Sequence, residues 1–292
     1  MANQRFVVTL SCEDRPGIVA AVSGALHRAG CNILVSDQYF DPTPGRDAAD
    51  GEGRFFMRVE IAAAPNTAAE SLREALAEAE SEFALELEVT ALNRPARLIV
   101  MVSKFDHCLQ DLLYRCRIGA LNAQVMAIVS NHADNADAAA FHGLPFHHWP
   151  VTKETKPQQE AKLLSLFEKS RADLLVLARY MQVLSEETSA TLFKRAINIH
   201  HSFLPAFKGA RPYQQAHQRG VKLIGATAHY VTSDLDEGPI IEQDAERVSH
   251  AASAERLVAI GRDIEARVLA RAVAYHIERR VFVHGRKTVV FT

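Results

Sequence analysis

The sequence has no run of apolar residues long enough to cross a bilayer, and no basic stripe: 33 Lys and Arg stand against 35 Asp and Glu. A membrane span and a nucleic-acid or anionic-membrane partner are therefore not expected. It has only four cysteines, Cys12, Cys31, Cys108 and Cys116, and none is in CxxC spacing. That argues against a disulfide framework or a zinc knuckle, and reads as four reduced, buried, small apolar side chains. No GxGxxG follows any apolar strand, which disfavours a nicotinamide enzyme. No HxxxH pair occurs, so no metal is expected. Low-complexity tracts and internal repeats are absent too. The start, "MANQRFVVTL", runs straight into a strand pattern without a signal-peptide pattern, so the expected home is the cytoplasm.

What is present divides in two. Over 1–92 the apolar pattern alternates between the periods of strand and helix. "RFVVTLSC", "NILVSDQYF", "RFFMRVEIAA" and "ALELEVTAL" read as strands, with helices after the first and third. Asp14 is placed to cap the first helix and Asn66 or Thr67 the second, while Gly30 closes the first. "DPTPGRDAADGEG" is a turn-rich loop. The order βαββαβ is a ferredoxin-like unit. From 93 to 292 the pattern changes to nearly continuous apolar strands alternating with helices. "RLIVMVS", "AQVMAIVSN", "PFHHWPV", "ADLLVLARYM" and "INIHHS" belong to an open, Rossmann-like, doubly wound sheet. "KLIGATAHYV" onward adds a mixed tail, "SAERLVAIGRDIEARVLARAVAYHIERR" is a long helix, and "VFVHGRKTVVF" is a hairpin. The fold class is α/β in two domains.

In open α/β sheets ligands sit beyond the carboxyl ends of strands. Asn198 and His200 stand at such an end, and strand alternation points them to one side. An amide and an imidazole there can stabilise charge growing on a carbonyl oxygen. His201 should diverge from His200, and His147 and His148 read as loop or edge residues. The loop after "TAHYV" offers Asp234, Asp236 and Glu237 before Gly238-Pro239. A carboxylate from it could hold water and favour a charged imidazole. The bland alternatives are a satisfied strand-end histidine and an aspartate that merely caps a turn.

Together, "NIHHSFLPAFKGA" and "GATAHYVTSDLDEGPIIEQ" resemble the formyl-transfer site of the folate-dependent formyltransferase family. The full-length pattern, with "LSCEDRPGIVAAVSGAL" and "KFDHCLQDLL", resembles that family's hydrolytic branch. The resemblance implies cleavage of 10-formyltetrahydrofolate to formate and tetrahydrofolate. The folate is then substrate, with no cofactor, and the formate feeds purine synthesis and balances the one-carbon pool. It also implies the catalytic set Asn198, His200 and Asp236. Met181, Gln182, Val183 and Leu184 of "ARYMQVLS", with Leu235 and Gly238, would line the folate site. Transferases of this family often carry Arg where Gln182 stands. "MVSKFDHCLQDLL" lacks the glycine-rich run that cradles an acceptor's phosphate in the purine-pathway relative, which favours water as acceptor. The rivals are formyl transfer to an amine and a non-catalytic, amino-acid-responsive regulator that keeps a folate pocket. Residues 1–92 resemble an ACT domain. That implies a homo-oligomer and an effector, with glycine and methionine as the family's precedent, near Asp14, Gly17 and Asn32.

Overall fold

The structure is a computed structural model and describes residues 3–42, 53–204 and 212–292. Most of the "DPTPGRDAADGEG" loop and most of the "LPAFKGA" turn lie outside these residues. The chain divides into two compact units, one of 1–95 with 278–282 and 289–292, the other of 96–277 with 283–288.

In the first unit the order is β1 (Gln4–Glu13), α1 (Ile18–Arg28), β2 (Asn32–Pro42), β3 (Gly53–Ala63), α2 (Ala69–Phe83) and β4 (Glu86–Ala91). The strands form an antiparallel sheet in the order β2-β3-β1-β4. Period-2 alternation turns Phe6, Val8, Leu10 and Cys12 into one core with Ile18, Val22 and Leu26 of α1 and Leu72 and Leu76 of α2. Gly30 closes α1 with φ +72, its N–H donating to His27 O. The expected caps differ. α1 is entered through Gly17 and α2 through Ala68, neither with a side-chain cap, because Asn66 is turned into the left-handed region and Thr67 Oγ donates to Ala64 O. Cys12 and Cys108 are buried, but Cys31 and Cys116 are only half-buried, and all four are free.

The far face of this sheet buries Phe56 and Arg58. The Phe282 ring sits 5.6 Å from Phe56, and Arg58 Nε donates to Glu278 O at 3.1 Å. These contacts explain why segments 278–282 and 289–292 group with the first unit, where pattern alone put all of 93–292 in the second domain. A sheet face covered from a distant part of the chain leaves no local periodic signal.

The second unit runs β5 (Ala96–Val102), α3 (His107–Arg117), β6 (Ala123–Ser130), α4 (Ala136–Phe141), β7 (Phe146–His148), α5 (Lys156–Lys169), β8 (Leu174–Leu177), α6 (Glu186–Thr191), β9 (Ala196–His200), α7 (Pro212–Arg219), β10 (Leu223–Tyr230), β11 (Ile240–Arg247) and α8 (Ala254–Ile277). The hairpin β12 (Val281–His284) and β13 (Lys287–Val290) follows, turning at Gly285 with φ +59. The seven-stranded sheet has the order β11-β10-β9-β8-β5-β6-β7. β5 to β9 pair in parallel, whereas β10 is antiparallel to β9 and β11 to β10. Leu98, Ile99, Val100 and Val102 of central β5 are fully buried, as a strand covered on both faces must be. α6 is capped by Ser185, whose Oγ accepts from Thr188 N. α7 was not among the helices expected from the sequence. Its first residue, Pro212, holds the position where a missing N–H costs nothing.

Candidate active site

Strand order reverses at β5: the chain passes from β5 to β6 on one side and reaches β8 on the other. Crevices form at such points, beyond the carboxyl ends of the strands. A cavity of about 250 Å³ opens beside this point, lined from β8 to the loop after β10. Met181, Gln182, Val183, Leu184 and Leu235 line it together with Asn198, His200 and Asp236. Gly238 does not line it.

Asn198 and His229 are direct cross-strand partners of β9 and β10. His229 Nδ1 lies 2.8 Å from Tyr230 O, so the ring donates there. In the neutral ring Nε2 is then an acceptor, and Asn198 Nδ2 donates to it at 3.3 Å. The amide nitrogen has a second N–H left over. His200 Nδ1 stands 3.1 Å from Asp236 Oδ2, and His229 Nε2 3.6 Å from Oδ1. Burial raises the Asp236 pKa; the hydrogen bond from the His200 imidazole is the largest opposing effect, and the carboxyl is held well below its usual range. His200 Nε2 is buried without a hydrogen-bond partner among the described residues. His200 is thus tethered through one nitrogen and uncommitted at the other.

Asp236 adopts φ +57, and the turn carrying it is fixed by close backbone approach. Tyr230 N donates to Pro239 O at 3.0 Å, and a Cβ on Gly238 would stand 1.8 Å from Tyr230 O. Gly238 therefore seats the Asp236 turn without touching the cavity. Gly238→Ala should cost roughly 1–3 kcal/mol of stability, as overpacking does, and lower activity at unchanged protein concentration. Chemical denaturation and turnover check both.

His201 does not diverge from His200. The rings stack at 4.9 Å with 23° between planes, because β9 ends at His200 and alternation no longer applies. Burial, then the nearby Arg179 and His200, push the His201 pKa down to about 4.

The formyl transferase family model matches residues 96–273, and the ACT domain model residues 6–77. A formyltetrahydrofolate deformylase of Corynebacterium sp. (strain P-1) is 46% identical over 98% of both chains. The crystal structure of a formyltetrahydrofolate deformylase from Burkholderia mallei superposes with a TM-score of 0.89 at 52% identity, over 99% of this chain and 100% of that one. This chain belongs to the formyltetrahydrofolate deformylase family. A glycinamide ribonucleotide transformylase from Symbiobacterium toebii is similar over a smaller part of the chain. Its TM-score is 0.64 at 30% identity, over 69% of this chain and 97% of that one.

The N-terminal module is an ACT domain, and the three expected effector residues occupy two places in it. Asp14 and Gly17 lie just past the end of β1. Asn32 pairs through Ala62 with Arg5, near the start of β1. The sequence shows that all three are polar or turn residues, but strand length sets which end each occupies.

Nothing in the sequence singled out His229, Arg179, His107, Tyr213 or Glu265. Pairing strand ends would have found His229, since the register puts it opposite Asn198. Glu265 Oε2 lies 2.8 Å from His107 Nε2 and 3.1 Å from Arg179 Nε, and Oε1 accepts from Tyr213 OH at 2.5 Å. Glu265, His107 and Cys108 bring three possible metal donors within 4.8 Å. Both carboxylate oxygens are already engaged, a guanidinium stands beside them, and burial raises the Cys108 thiol pKa well above its usual value. These residues form an ion-pair cluster unsuited to a cation.

Proposed function

We propose that this deformylase-family chain hydrolyses 10-formyltetrahydrofolate to formate and tetrahydrofolate. The observation that carries the reading is the convergence of Asn198, His200 and Asp236 on one cavity, with His200 Nε2 unpartnered. The folate would lie against Met181 to Leu184 and Leu235, with its formyl group toward β9. The spare N–H of Asn198 and the Nε2 side of His200 would meet the formyl oxygen. Hydrogen bonds that strengthen as this oxygen gains charge lower the barrier selectively. Water adds to the formyl carbon, the bond to N10 breaks, and its electron pair stays on N10, which takes a proton. The second proton of water is lost as formic acid ionises. Asp236 acts as a hydrogen-bond acceptor, since its carboxyl is held ionised; it orients His200 and offsets positive charge on that ring.

His229 pins the Asn198 amide with its nitrogen toward the cavity, so the donor is fixed before substrate arrives. We extend the reading to the ACT domain, where an amino-acid effector, with glycine and methionine as first choices, would modulate the rate in an oligomer. Exposed Leu34, Val35 and Tyr39 on edge strand β2 support a second copy there. The test is one assay. Purified protein and 10-formyltetrahydrofolate, with no amine, should release formate and tetrahydrofolate in equal amounts. The absence of formate would reject the reading. Parallel runs with glycine and methionine should change the rate; identical rates with both would remove the effector.

A further inference from the structure

The crevice where strand order reverses is already occupied by the protein itself. Glu265, fully buried on α8, contacts His107 just after β5 and Arg179 just after β8. The two strand exits are also tied directly, Ser103 N to Arg179 O at 3.2 Å and Met181 N to Ser103 Oγ at 3.0 Å. Tyr213 completes the cluster from α7. Its ring can reach Glu265 only because Gly261, one helical turn earlier on α8, has no Cβ; one there would stand 2.1 Å from the ring. Arg179 belongs to the cavity wall as well as to the cluster.

A buried ion-pair cluster is a weak way to stabilise a fold compared with apolar packing. Its position is therefore the feature that calls for explanation. The transformylase from Symbiobacterium toebii, by its name, moves a one-carbon group to a substrate containing glycinamide, on a fold similar over 69% of this chain. One fold can thus serve two acceptors, and a second, amine-bearing substrate would need space beside the formyl carbon. Here Arg179, paired with Glu265 of the crevice, forms part of the cavity wall. It presents a guanidinium, which repels an amine that is mostly protonated at neutral pH but not a water molecule.

We infer that the Glu265 cluster, with Arg179 as its cavity-facing member, is a specificity determinant that reserves the formyl carbon for water by closing the crevice to amine acceptors. The inference rests on the deformylation reading above. The competing step is balanced in the same way. An amine nitrogen bonds to the formyl carbon, the bond to N10 breaks, and the proton lost by the amine goes to N10. The products are a formamide and tetrahydrofolate.

The experiment follows partition, not rate. Full-length protein is incubated with 10-formyltetrahydrofolate and excess glycinamide, and formate and N-formylglycinamide are measured by proton NMR. The original chain should give formate almost alone. Arg179→Ala/Glu265→Ala, which removes both charges and leaves neither orphaned, should raise the amine-to-water product ratio by at least about tenfold. His107→Ala opens the rim of the same crevice, where the imidazole is 17% exposed, and should raise it in the same direction. It decides the matter if the double variant does not fold. A folded variant with the original ratio overturns the inference. So does a folded variant that yields neither product, since the cluster would then be part of the machinery and not a barrier. An original chain that formylates glycinamide as readily as water also overturns it. If the original chain yields neither product, the proposed function falls instead.

Discussion

Replacing His200 with Ala should lower the turnover of 10-formyltetrahydrofolate by on the order of a hundredfold or more, with KM changed much less. The size follows from what is removed. A donor aimed at an oxygen that becomes charged in the transition state is worth about 2.7–4 kcal/mol where water is excluded. His200 is 7% exposed, and its Nδ1 is engaged by Asp236, so the ring cannot swing to solvent and be replaced there by water at no cost. Met181 to Leu184, the proposed folate contacts, lie on a different segment of the cavity wall, so ground-state binding should survive. A loss confined to kcat identifies an interaction made in the transition state, whereas an equal loss confined to KM would place His200 in binding alone. Asn198→Ala should behave similarly but also free His229 Nε2. The combined variant should fall short of the product of the two losses, because groups that act on one oxygen are not independent. Near-normal turnover in His200→Ala would end the proposed chemistry.

The sequence reveals the periodic parts of the molecule and hides those that depend on which strand ends meet. β5, β6 and β8 are legible because burial on both faces makes them uninterrupted apolar runs. β1 and β3 are legible because residues facing α1 and α2 recur every second position. Asn198 and His200 were visible as a polar pair at the end of such a run, whereas Asp236 was singled out from Asp234 and Glu237 only by the resemblance to the formyltransferase family. His229 was hidden inside an apolar strand, where its role depends on lying opposite Asn198. Glu265 was hidden for a different reason. On a long helix, a carboxylate reads as part of a solvated face, and only the packing of α8 against α3 and α7 buries it. The stacking of His201 on His200 was misread because the strand stops one residue earlier than its pattern suggests. In each case the missing information was tertiary: a register, a crossing of helices or the place where regular pairing ends.

Glu265→Ala, the single substitution, should be the most destabilising change in the second unit, by about 3–5 kcal/mol. The mutation removes a carboxylate that two basic side chains and a phenol were folded around. Arg179 is left with its charge 10% exposed and without its counter-ion, and the Tyr213 hydroxyl loses its acceptor. Both penalties are larger than the loss of a surface pair, because water cannot take the missing partner's place. Retaining the carbon skeleton in Glu265→Gln should recover part of the loss by keeping an acceptor for Tyr213, but not the charge. The acid response should change as well. Burial raises the Glu265 pKa, but His107, Arg179 and Tyr213 outweigh it, so the folded value lies below the ordinary one. A depressed carboxyl pKa contributes stability above the unfolded value of about 4.3, and that contribution disappears as pH falls through the folded value. Asp236 acts in the same sense. The original chain should therefore lose stability steeply below about pH 4, and Glu265→Ala should show a shallower loss from a lower starting point. Denaturant midpoints measured from pH 7 downward test both parts. Parallel curves for the two proteins would mean that Glu265 is not held ionised by its neighbours, and an unchanged midpoint at pH 7 would mean that the cluster does not bear on folding at all.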